Sequence, residues 1–174
     1  MTKLFRRRLL KFTVYAVIVF AAYIIQTTPN LLDFFGIKPL LVLPMCICLA
    51  VFEGEFEGGV FGFIVGLFVD STSETVFGFN SLVFLVLSVS AGLLAIYVFR
   101  RSTMNVMLLC LFAVFIRALL EFFFAFVIYG YPNLEPYFYT QFAPQVVLTS
   151  IFAYPFCEFF RYLHKKFEPD ETKE

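Results

Sequence analysis

The chain has 174 residues, of which 61% are hydrophobic and 15% charged, with a mean hydropathy of +0.87. Soluble domains carry roughly 45–50% apolar and about 25% charged residues, so this composition excludes a soluble globular fold and points to one compact membrane domain. The formal net charge is zero, so there is no basic surplus to recruit nucleic acid.

Residues 1–11 form a basic flank with Lys3, Arg6, Arg7, Arg8 and Lys11. A secretory signal peptide also starts basic, but here the apolar run Phe12–Ile25 ends in Gln26-Thr27-Thr28-Pro29 without a small-x-small cleavage pattern. It reads as a retained first transmembrane helix, with the arginine cluster as an orientation anchor on anionic membrane lipid. Pro29 to Pro39 is a connecting loop. Leu40–Phe52 and Gly58–Val69 are short runs, each spanning only ~20 Å as helix. They are either two thin spans or a re-entrant hairpin. Glu53, Glu55 and Glu57 between them read as a solvated loop, or as a dock for a basic protein patch. Asn80–Phe99 is a full-length span ending at Arg100-Arg101, with Val106–Tyr129 and Phe142–Tyr162 as the fifth and sixth. The segment 130–141 is a Pro- and Tyr-rich interfacial loop.

These segments predict an all-α membrane protein of six helices. The divisions are a cytoplasmic basic N-terminus at 1–11, a six-helix domain at 12–163 and a cytoplasmic charged tail at 164–174. Of the 13 Lys and Arg residues, all but Lys38 and Arg117 then fall on the cytoplasmic side, as the positive-inside rule requires. Both termini are expected inside.

Several residues are candidates for function. Gly58, Gly62 and Gly66 recur every four residues, with Gly59 beside them. Small residues at this spacing give a helix a bare face against which a second helix packs closely, from a partner or from the same chain. Asp70 ends that run near Asn80, which opens the next. Asn80 suits an N-cap, and Asp70 suits an acceptor for backbone N–H groups at that helix start. A ligand-binding acid and a partner contact are the other readings of Asp70. Arg117 and Glu121, four apart in the fifth helix, share a face and read either as a mutually neutralising pair or as a coupling contact. Gln141, Gln145 and Thr149 form a stripe in the sixth helix, predicting a polar seam with the fifth in which Thr149 lies level with Glu121. Cys46, Cys48, Cys110 and Cys157 lie in apolar runs and read as small buried residues. No metal or cofactor is expected. Walker, HExxH and GxSxG patterns are missing from the sequence, so no enzymatic activity is expected.

Gly58/Gly59, Gly62, Gly66-Leu67, Asp70 and Gly78-Phe79-Asn80 together resemble the MreD family of rod shape-determining proteins. Gln26, Gly36-Ile37, Pro39-Leu40 and Ala91-Gly92-Leu93 add to the resemblance, which covers nearly the whole chain; Leu40 stands where the family often has an acid. The resemblance implies a non-enzymatic scaffold in the bacterial cell membrane, organising lateral peptidoglycan synthesis. The partners it implies are the bitopic protein MreC, the MreB filament, a glycosyltransferase and a penicillin-binding transpeptidase. The family is also similar to the S-components of energy-coupling-factor transporters. That likeness implies an alternative, a six-helix protein binding a small ligand through Asp70, Asn80, Glu121, Gln141 and Gln145.

Overall fold

The structure, a computed structural model, describes residues 2–29, 37–73, 76–97, 103–129 and 143–167. These residues form six helices and no strand. The helices are α1 (Thr2–Thr27), α2 (Val42–Glu53), α3 (Glu55–Thr72), α4 (Phe79–Tyr97), α5 (Thr103–Tyr129) and α6 (Ala143–Phe167). Four stretches are long and apolar enough to cross a membrane: Leu9–Thr27, Phe79–Tyr97, Thr103–Phe124 and Pro144–His164. The chain is thus an all-helical, multi-pass membrane protein. The basic flank is helical from Thr2 onward, because the straight side chains of Lys and Arg lose little freedom in a helix.

Helix α2 is the centre of the bundle. Every residue from Val42 to Phe52 is buried, and α1, α3, α4, α5 and α6 all pack on it. A helix that is apolar all round has no face to give to water or lipid, so its neighbours enclose it. Its 12 residues rise only ~18 Å, short of the ~30 Å hydrocarbon thickness. Helix α3, with 18 residues, rises ~27 Å.

The corner between them overturns the expected loop over 53–57. It is a single residue, Gly54, at φ 127°, a conformation that L side chains rarely adopt. Glu55 and Glu57 lie in the first turn of α3, where carboxylates face the positive end of the helix dipole. Glu53 closes α2 and is engaged on three sides. Its carboxylate meets Lys11 Nζ at 2.6 Å and His164 Nδ1 at 2.9 Å, and accepts from the Tyr15 hydroxyl at 2.8 Å. This cluster brings the starting half of α1 and the last turn of α6 to one end of the bundle. Burial alone would raise the Glu53 pKa. The hydrogen bonds from His164, Lys11 and Tyr15 outweigh it and hold the carboxyl at about 2, from an ordinary 4.5. A lowered pKa stabilises the fold above the unfolded value and is lost as pH falls towards the folded one. Thermal stability in detergent is therefore expected to fall as pH drops from about 4.5 to about 2. Glu53→Gln should remove that step, which pH-dependent melting measures.

The start of α2 is buried, so its orphan N–H groups need acceptors from elsewhere. Gln26 Oε1, from α1, accepts from the Leu41 and Val42 backbone N–H groups at 2.9 and 3.2 Å. Thr149 Oγ1, from α6, accepts from the Leu40 N–H at 3.0 Å and donates to the Gln145 carbonyl at 2.6 Å. Gln145 Nε2 donates to the Lys38 carbonyl at 3.0 Å. The seam predicted between the fifth and sixth helices is therefore corrected. Gln145 and Thr149 serve the segment entering α2, because that backbone is where unpaired groups would otherwise sit in the core. Gln141 lies outside the described residues.

Candidate functional site

The glycine face is filled from within the chain. A Cβ at Gly58 would stand 2.1 Å from Ala50 Cβ in α2. At Gly62 it would stand 2.8 Å from the Phe84 carbonyl oxygen and 2.8 Å from Ser88 Oγ, and at Gly66 it would stand 2.4 Å from Ser81 Cα, all in α4. At Gly59 it would meet the Val89 side chain at 2.5 Å. Helix α4 reciprocates with Gly92, whose missing Cβ makes room for the Glu55 backbone. Of the two occupants expected for this face, the same chain supplies the one observed, and no room is left on it for a partner helix. Close backbone approach gives the van der Waals contact that must hold helices together where lipid offers no hydrophobic drive.

This tight α3–α4 seam carries a polar network at one end. Asp70 is 4% exposed and Asn80 is fully buried. Asp70 Oδ1 accepts from the Asn80 backbone N–H at 2.9 Å and from Asn80 Nδ2 at 3.1 Å. Asp70 Oδ2 accepts from the Ser81 backbone N–H at 3.0 Å and also from the Ser81 hydroxyl. Two successive N–H groups of the first turn of α4 thus close on one carboxylate, an acid at a helix start. Asn80 lies inside that first turn rather than ahead of it, so Asp70, from the neighbouring helix, does the capping.

Asn80 then passes the network to α5. Its Oδ1 accepts from Arg117 Nη2 at 3.0 Å, while Arg117 Nη1 pairs with Glu121 Oε2 at 2.7 Å. The Arg117 side chain is 6% exposed and that of Glu121 27%. The two polar sets that the sequence shows separately, Asp70/Asn80 and Arg117/Glu121, are one chain of contacts across α3, α4 and α5. Asp70 and Glu121 supply two negative charges and Arg117 one positive. Arg117 Nε has no hydrogen-bond partner among the described residues. Both Asp70 oxygens already accept two bonds each, so this carboxylate has little capacity left for a ligand. Chemically the arrangement is a clamp: it fixes the rotation and depth of three helices by satisfying groups that are costly to leave unpaired in an apolar interior.

The link from Asn80 to Arg117 and the Glu53 cluster escape sequence reasoning. A usable signal for the second exists: Lys11, Glu53 and His164 each end an apolar run on the side assigned to the cytoplasm.

The outward surface is apolar. Val17, Phe20 and Ile24 of α1 and Phe63, Ile64 and Phe68 of α3 are exposed. Between the two helices runs a groove of about 460 Å³, lined by apolar side chains with Thr13 and Tyr23. The Tyr23 hydroxyl donates to the Phe68 carbonyl at 2.9 Å, which ties the groove's walls together.

A family model described as rod shape-determining protein MreD matches residues 6–167. Searches of curated proteins and of solved structures return no match.

Proposed function

The chain belongs to the MreD family, a family of rod shape determination, and from that membership we propose that it is a non-enzymatic scaffold subunit of the bacterial cell-elongation machinery. It sits in the cell membrane with both termini in the cytoplasm. Its partners are the bitopic protein MreC, the MreB filament directly or through MreC, and the glycosyltransferase and penicillin-binding transpeptidase of lateral-wall synthesis. The observation that carries this reading is the family match across nearly the whole chain.

Two features support it. The glycine seam and the Asp70–Arg117 clamp spend their chemistry on internal packing, as a scaffold requires. The apolar faces of α1 and α3 stay outside, which supports a partner's transmembrane helix docking there rather than on the glycines. The small-ligand reading draws no support from Asp70, Asn80 or Gln145, whose polar groups are engaged within the fold.

Deleting the gene in a rod-shaped host that carries it tests the proposal. Cells are expected to round up and to lose ordered incorporation of labelled wall precursor along the side wall. Unchanged rods with normal side-wall labelling would overturn it.

A further inference from the structure

From the sequence, the four cysteines are separate small residues in apolar runs. The fold gathers three of them. Cys48 of α2, Cys110 of α5 and Cys157 of α6 have Sγ atoms that all lie within 4.8 Å of one another. The Cys48 and Cys157 sulfurs are 2.6 Å apart. All three are buried in the apolar core. We propose that Cys48, Cys110 and Cys157 form a binding site for one soft monovalent metal ion of the copper(I) class, held between three helices.

The donor set selects the ion. Sulfur-only ligation suits copper(I), whereas calcium and magnesium require oxygen. Zinc takes four ligands in a closed site, and no fourth His, Cys or carboxylate joins this group among the described residues. Cysteine ligates metal as the thiolate, so binding releases thiol protons to solvent and uptake of the ion strengthens as pH rises. The site lies near the Glu53–His164 end of the bundle. Cys48 precedes Glu53 by five residues and Cys157 precedes His164 by seven, roughly 8–11 Å along a helix. A metal–sulfur distance of about 2.3 Å sets three sulfurs about 4 Å apart, so the closest pair opens as the ion enters.

The test uses the full chain in detergent, reduced and free of oxygen, titrated with copper(I) buffered by a coloured chelator. One equivalent is expected to transfer to the protein, with a new ultraviolet sulfur-to-metal absorption. Cys157→Ala is expected to weaken binding by more than the roughly 10–100-fold that losing an outer-shell partner costs, while Cys46→Ala leaves it unchanged. X-ray absorption at the copper edge on the unaltered protein gives a reading that needs no variant, and a sulfur-only shell is expected. No transfer from the chelator, equal binding by Cys157→Ala, or a nitrogen and oxygen shell would each overturn the site.

Discussion

Gly66→Ala is expected to lower the unfolding free energy in detergent by about 3 kcal/mol, the upper part of the range for overpacking a tight core. The added methyl would lie 2.4 Å from Ser81 Cα, 2.7 Å from Ser81 N and 2.9 Å from the Asn80 carbonyl oxygen. These are backbone atoms, and no rotamer change moves them. Helices α3 and α4 must part, which pulls Ser81 away from Asp70 at the same time. Two controls bound the effect. At Gly59 the clash is with one methyl of Val89, which can turn aside, so Gly59→Ala should cost under about 1 kcal/mol. At Gly78 nothing lies within 4 Å, but φ is 94°, so alanine there should cost only the left-handed backbone penalty of ~1 kcal/mol. Equal losses in the three variants would show that α3 and α4 do not meet backbone to backbone.

Asp70→Asn is expected to cost a similar ~3 kcal/mol, because hydrogen bonds to a charged group contribute about 1.5–3 kcal/mol each and a buried donor left unmatched costs more still. The carboxylate accepts four bonds, two at each oxygen. An amide offers one oxygen and one NH₂, so one pair of donors would face another donor. It also removes the negative charge at the start of α4. Ser81→Ala removes one of the four bonds and should cost only ~1 kcal/mol. Melting curves for the two variants, read beside Gly66→Ala, test whether the seam and its cap act as one unit. Sites in direct contact are expected to give a non-additive double mutant.

Much of this was legible in the sequence wherever one helix carried the whole signal. The apolar runs follow from composition and length. The four-residue spacing of Gly58, Gly62 and Gly66 shows a bare face, and that of Arg117 and Glu121 shows a shared one. Asp70 stands close enough in sequence to Asn80 for a helix-start contact to be read from the chain.

What stayed hidden depends on how helices are rotated and set in depth against one another, which periodicity within one helix does not contain. The occupant of the glycine face, the Asn80–Arg117 contact, Thr149 beneath Leu40 and the convergence of Cys48, Cys110 and Cys157 all belong to that class. The reading of 53–57 as a loop failed for a different reason. Three acids alternating with Gly and Phe look solvated, yet a single Gly54 makes the corner, and Glu53 finds a lysine, a histidine and a hydroxyl. The buried start of α2 explains the stripe in α6 better than a charge partner in α5 does. An unpaired N–H in an apolar core is as costly as an unpaired side chain, and it is invisible in a list of residue types.

The interior holds the six helices together, and the apolar exterior is the surface proposed to recruit partners. Affinity purification of the tagged chain from native membranes, with the co-eluting proteins identified, tests the recruiting role most directly. Recovery of the bitopic partner together with the glycosyltransferase and transpeptidase of wall synthesis is expected. Recovery of a transporter ATPase module without any wall synthase would contradict it.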